Sequence, residues 1–302
     1  MELQLPGLIV PPLTPFTENL KVDERALATE VDYVVNECNA AMVVAAGVET
    51  QEYTYLSMEE RRRLIRHTVE FVGKRRPVAV GITHPSFRTA IELAHYAQDL
   101  GAEALQLLAP LRPFGGAPTQ GELVAYFEAI ARETGLPIVL YLNPGPGADV
   151  SVAGTVELAK LDRVGYIKES SRDLSRVSQL IAKVDRAGHA RYFTTVQMLL
   201  ATLQLGGSGA TMPPPAAELC ARIVDAFVAG RHDEAARLQR QFALFPGNWM
   251  HRGLAPTLKA AMKILGRPVG DPYPPFGQFT AQEREELSRY LATTDFTAKE
   301  PR

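Results

Sequence analysis

Gly7-Leu8-Ile9-Val10-Pro11-Pro12-Leu13-Thr14-Pro15 decides between two arrangements of the chain. The first four residues read as a short apolar strand. In an open doubly wound sheet, the first strand runs into a glycine fingerprint that lets the backbone approach a dinucleotide. Here the strand runs into Pro11-Pro12-Leu13-Thr14-Pro15, with no glycine. Further apolar runs follow at 41–46, 78–82, 104–108, 138–142, 164–168, 191–195 and 209–212. They are continuous rather than alternating in polarity, as expected of parallel strands covered by helices. Between them lie amphipathic stretches, among them 23–38, 57–72, 86–100, 120–134 and 173–187. Ser57 with Glu60 three residues on has capping-box spacing, and Gly101 and Gly135 stand where helices stop. Strand–helix units at about 30-residue spacing with right-handed crossovers predict an α/β fold, a (β/α)8 TIM barrel.

The barrel is expected over residues 1–227. Residues 228–302 lack a strand pattern and predict a C-terminal helical appendage, with helices at 232–244, 255–265 and 281–291. A Pro- and Gly-rich connector covers 266–277, and 297–302 reads as a frayed tail. A formal charge of −2 gives no general attraction to nucleic acid or to anionic membrane. No apolar stretch reaches the ~20 residues of a spanning helix. The first residues carry no secretory pattern, and two cysteines, Cys38 and Cys220, suit a reducing compartment. A soluble cytoplasmic protein is expected.

In such barrels chemistry occurs at the C-terminal ends of the strands. Lys168 lies there, in Val164-Gly165-Tyr166-Ile167-Lys168-Glu169-Ser170, where an ammonium is expensive to bury. Of the other seven lysines, Lys21, Lys74 and Lys299 sit in polar loops or the tail. Lys160, Lys183, Lys259 and Lys263 sit on helical patterns among charges. Burial favours the neutral amine, the nucleophile that forms Schiff bases with carbonyl substrates. The structural alternative is a strand-end lysine that is solvated or paired with Glu169. Tyr141 ends the preceding strand, in Tyr141-Leu142-Asn143-Pro144, and in isolation reads as barrel packing. Beside an amine its hydroxyl can relay protons. Thr83-His84, Thr194-Thr195 and the stretch 47–52 complete the polar strand ends. Of six histidines only His84 is at a strand end, so no metal site is expected, nor any other cofactor. The glycines of Gly206-Gly207-Ser208-Gly209 lack a following Lys-Ser/Thr and are expected to permit close backbone approach near the barrel mouth.

These residues resemble the pyruvate-dependent class I aldolases, the family of dihydrodipicolinate synthase and N-acetylneuraminate lyase. The likeness covers nearly the whole chain. It rests on Pro12-Leu13-Thr14-Pro15-Phe16, the 47–52 turn with Leu56-Ser57, Tyr141-Leu142-Asn143-Pro144 and Val164-Gly165-Tyr166-Ile167-Lys168-Glu169. Leu205-Gly206-Gly207-Ser208-Gly209 and Thr257-Leu258-Lys259-Ala260-Ala261 also fit, and the tyrosine precedes the lysine by 27 residues. The resemblance implies that Lys168 forms the imine with the 2-oxo group and that Tyr141 shuttles protons. It implies that Glu49 and Thr50 lie in a carboxylate cradle, and that Met212 walls the pyruvyl group. It also implies a small 2-oxo acid as partner and a homo-oligomer, commonly a homotetramer built from dimers.

Departures bear on the second substrate. The family's synthase has an arginine where this chain has Pro146, and a cross-subunit tyrosine where it has Pro113-Phe114-Gly115-Gly116. Glu49 stands where Thr or Ser is usual, and Gln51 where glycine is usual. A Schiff-base lyase or aldolase acting on pyruvate and a 2-oxo-3-deoxy acid is therefore expected, with a second substrate different from the synthase's. Two alternatives are a 2-oxo-3-deoxy sugar acid dehydratase using the same imine, and a non-catalytic 2-oxo acid binding protein.

Overall fold

A computed structural model describes residues 3–110, 117–143 and 149–296. Eight strands form a closed barrel in chain order, every neighbouring pair parallel. They are β1 (Gly7–Val10), β2 (Met42–Ala45), β3 (Val78–Gly81), β4 (Ala104–Leu108), β5 (Ile138–Leu142), β6 (Val164–Glu169), β7 (Arg191–Thr194) and β8 (Gly209–Thr211). Each lies within or nearly within its predicted run, because a strand covered on both faces must be apolar throughout and ends where polar residues begin.

Helices α1 (Glu24–Asn36), α2 (Met58–Val72), α3 (Phe87–Asp99), α4 (Gln120–Ala131), α5 (Val152–Ala159), α6 (Leu174–Leu180), α7 (Leu199–Gln204) and α8 (Ala216–Val228) alternate with the strands. Their starts are specified locally. Ser57 accepts from the Glu60 amide while the Glu60 side chain accepts from the Ser57 amide, the expected capping box. Gly101, with φ of +79°, follows α3 as expected. Gly135 does not stop α4, which ends at Ala131 with Arg132 as its cap. The stretch expected as one helix over 173–187 is α6 followed by a π-helical turn, Ile181–Asp185.

The glycine cluster before β8 works at the opposite end of the barrel from the mouth. Gly209 pairs with Gly7, the first residue of each strand, at a φ of +140°. A Cβ on Gly209 would sit 1.8 Å from the Gly7 carbonyl oxygen, so closure of the barrel requires glycine there.

Beyond α8 the chain forms α9 (His232–Gln239), α10 (Leu254–Ile264) and α11 (Ala281–Leu291), the expected helical appendage. It is tied to the barrel by polar contacts. Arg267 pairs with Glu37 at 2.9 Å, and Arg222 donates to the Asp295 carbonyl at 3.0 Å. Phe245, Trp249, Tyr290 and Phe296 pack as an aromatic cluster between the late helices and turns.

Candidate active site

One irregularity in the sheet sets the site. Between β5 and β6, Ile138 pairs with Val164 but Val139 pairs with Tyr166, so Gly165 is an extra residue in β6. Because side chains alternate faces with period two, that bulge reverses the phase of the rest of β6. Tyr166 and Lys168 thereby face the barrel interior, and Lys168 lies directly opposite Tyr141 in register. Ile167 and Glu169 face the helices.

Lys168 is 3% exposed. Its Nζ donates to Tyr141 Oη at 2.9 Å and lies 4.2 Å from the centre of the tyrosine ring. It also donates to Ser170 Oγ, which is itself 3.5 Å from Tyr141 Oη. Glu169 is not its counterion. That carboxylate is fully buried on the other face, where Arg176 Nε donates to it at 2.7 Å and Tyr192 Oη at 2.6 Å. Among the described residues, the buried amine therefore has hydroxyl partners and no carboxylate in contact. Val48 and Leu108 pack with Tyr141 as a small apolar cluster beside it.

The turn after β2 approaches from across the mouth. Gly47 packs on the loop after β1, where a Cβ would come within 2.4 Å of Pro11 Cβ. Gln51 occupies a left-handed conformation with φ of +55°. A non-glycine residue there carries some steric cost. Gln106, fully buried on β4, holds the turn in place. Its Oε1 accepts from the Val48 amide at 2.8 Å, and its Nε2 donates to Glu49 Oε1 at 2.9 Å. Among the described residues, Glu49 Oε2 is a buried atom with no hydrogen-bond partner, although the residue as a whole is half-buried. Burial raises the Glu49 carboxyl above the ordinary range, while the Lys168 ammonium, the Glu49 backbone amide and the Gln106 amide pull it down. Thr50, half-buried, is next in the turn. Behind the turn, Arg61 stacks 4.1 Å over the Tyr53 ring and donates to the carbonyls of Thr83 at 2.9 Å and Gly81 at 2.7 Å. Burial lowers its guanidinium to about 10.

The remaining expected residues fall in different places. Thr211 pairs with Ile9, which faces the barrel interior, so Thr211 takes the inward position at the end of β8. Met212 is buried in the larger core shared with the helices. Thr194 faces away from the mouth, its hydroxyl 2.7 Å from that of Thr202 on α7. His84 Nδ1 accepts from the Ser86 amide at 3.0 Å and so shapes its own turn. Among the described residues, no group of three or more His, Cys, Asp or Glu could hold a metal ion. Pro113–Gly116, Pro144–Gly147 and the tail 297–302 lie outside the described residues.

Two features were missed in the sequence. Gln106 is a polar residue in the apolar run Ala-Leu-Gln-Leu-Leu, the same signal that singled out Lys168. Lys259 reads as one of several lysines on helical patterns among charges, but on α10 it is 2% exposed. It pairs with Glu52 at 2.8 Å, donates to the Thr14 carbonyl at 2.7 Å and lies 4.5 Å from the Phe16 ring.

Comparison with known proteins agrees with this architecture. The model of the dihydrodipicolinate synthetase family matches residues 4–294. The 4-hydroxy-tetrahydrodipicolinate synthase of Moorella thermoacetica is 32% identical over 286 residues, covering 93% of this chain and 96% of the relative. A prophage protein of the dihydrodipicolinic acid synthase family from E. coli K12, YagE, solved in complex with pyruvate, superimposes with a TM-score of 0.86 at 25% identity, covering 95% of this chain and 97% of that one. N-acetylneuraminate lyase from Mycoplasma synoviae shares the fold, with a TM-score of 0.80 at 21% identity over 95% of this chain and 96% of that one.

Proposed function

The chain belongs to the dihydrodipicolinate synthetase family and is a lyase of the class I aldolase type, and on that premise we propose that it cleaves or forms a 2-oxo-3-deoxy acid through an imine on Lys168. The observation that carries the reading is a buried amine whose partners among the described residues are hydroxyls, in register with Tyr141. An amine not held in an ion pair is free to approach a carbonyl carbon, and the neutral amine is the nucleophile.

The Lys168 amine adds to the C2 carbonyl, giving a carbinolamine whose hydroxyl must be protonated to leave as water. Tyr141 Oη, at 2.9 Å from Nζ, is in range to deliver and retrieve that proton, with Ser170 Oγ beside it. The protonated imine then accepts the electron pair of the breaking C3–C4 bond. The C4 hydroxyl gives up its proton and leaves as an aldehyde, and the enamine is protonated at C3. Hydrolysis of that imine releases pyruvate and the free amine. Addition runs the same steps in reverse.

In this reading the amides and hydroxyl of the Glu49–Thr50 turn hold the substrate carboxylate. Thr211, which holds the inward position at the end of β8, stands in the same reading beside the pyruvyl group in place of Met212. The family's usual homo-oligomer belongs to the same proposal. The Glu49 carboxyl, half-buried in the turn, favours one second reading, dehydration of the same imine, in which Glu49 takes the acidified C3 proton and the resulting enamine expels the C4 hydroxyl as water. Incubation with 2-oxo-3-deoxy acids separates the two. Pyruvate with an aldehyde co-product supports cleavage, whereas a dehydrated 2-oxo acid without pyruvate supports the second reading. Neither product from any such acid would overturn both.

A further inference from the structure

We propose that Gln106 and Glu49 form a hydroxyl-recognition subsite that selects 2-oxo acids carrying a hydroxyl on C4. The inference rests on the Lys168 imine. Gln106 is fully buried on β4 and faces the barrel interior in register with Val139. Both of its amide atoms are engaged, Oε1 by the Val48 backbone N–H and Nε2 by Glu49 Oε1. The backbone donor fixes which way the amide points, and the amide fixes which Glu49 oxygen is taken. Oε2 remains, buried and without a partner among the described residues. A polar atom in that state is costly to leave bare and favours whatever ligand pairs it.

The groups whose charges reach Glu49 do not fill that role. Lys168 Nζ donates to Tyr141 and Ser170, and no ion pair joins it to Glu49. The Tyr53 phenol is hydrogen-bonded to the Thr83 side chain, and Arg61 is engaged with the carbonyls of Gly81 and Thr83. A substrate group bound at the barrel mouth would supply the partner that Oε2 lacks. A hydroxyl both donates and accepts, so it satisfies Oε2 in either protonation state. A substrate carboxylate would be repelled by the ionised form, and a methyl would leave the oxygen bare. Glu49 is close enough to feel the charge of Lys168. The hydroxyl nearest the imine carbon in a 2-oxo-3-deoxy acid is the one on C4. Thr211 Oγ1, also buried and unpartnered, offers a second polar atom at the same end of the barrel.

The test uses 4-hydroxy-2-oxobutyrate and 2-oxobutyrate, which differ by that hydroxyl alone. Half-saturation for borohydride trapping on the intact enzyme is measured with each. The wild type should prefer the hydroxylated acid by roughly 10- to 100-fold. Glu49→Ala should abolish most of that preference, and Gln106→Leu, which keeps the buried volume but releases Glu49, should reduce it. Thermal melts establish that each variant is folded. A wild type without the preference overturns the inference, as does a preference that survives both substitutions. Absence of any adduct on wild-type Lys168 overturns the Schiff-base reading and the inference with it.

Discussion

Lys168 and Lys259 are equally buried, at 3% and 2% exposure, yet their surroundings differ in kind. Lys259 is enclosed by acceptors. Glu52 lies 2.8 Å away, the Thr14 carbonyl 2.7 Å, and the Asp271 carbonyl 3.3 Å. Such an environment commits the amine to an ion pair and two backbone carbonyls, which leaves it no approach to a carbonyl substrate. Lys168 has two hydroxyls and an aromatic ring around it. Burial alone therefore does not mark a reactive lysine; burial without a carboxylate in contact does. One lysine ties the late helix α10 to the loops at the barrel mouth, and the other is left available for chemistry.

Exchange of each lysine should separate these roles. Lys168→Met should lower turnover by about 10⁴-fold or more, as loss of a covalent nucleophile does. Its thermal midpoint should stay level or rise, since an apolar chain of similar volume replaces a buried amine. A large drop in melting temperature would mean that Lys168 is a structural residue. Tyr141→Phe should slow turnover by about 10²- to 10⁴-fold while the borohydride adduct still forms. Unchanged kcat in that variant would remove the tyrosine from proton transfer.

Lys259→Met should show the opposite profile, destabilising the fold by about 3–5 kcal/mol because Glu52 is left buried without its cation. Adding Glu52→Gln should restore part of that loss in denaturant titrations. An equally stable single variant would contradict the pairing. The smallest effect concerns Glu30, which lies near the same pair and accepts from the Leu13 amide at 3.4 Å. Burial pushes its carboxyl up to about 8, with the Glu52 charge adding to the rise. The folded state then holds a proton that the unfolded state has already lost. The stabilising contribution is complete below about 4.5 and declines as pH rises towards 8. Glu30→Gln should flatten that decline between pH 5 and 8 by a few kcal/mol at most. An identical pH dependence in wild type and variant would count against it.

The barrel was legible because each strand is a local apolar run with polar limits, and because capping residues such as Ser57 sit beside the helices they start. Lys168 and Tyr141 were legible for the same reason, as polar residues at the ends of such runs. The Gly165 bulge was not, although it decides which face Lys168 occupies. Bulges follow from the pairing of two strands rather than from either alone. The strand end at Thr211–Met212 suffered similarly, since a shift of one residue moves a side chain from barrel interior to helix layer. Lys259 was misread because its partners lie far away in sequence. Glu52 and Thr14 are brought to it only when α10 docks, and a helical pattern cannot report such contacts. Gln106 carried the right signal, but its meaning depends on Val48 and Glu49 in another strand's loop.

The central claim is that these two buried amines differ in reactivity. The direct measurement is borohydride reduction of the wild-type enzyme with pyruvate, followed by intact mass and peptide mapping. One adduct per chain, on the peptide containing Lys168 with Lys259 unmodified, is the expected result. An adduct on Lys259, or none on Lys168, would contradict the account.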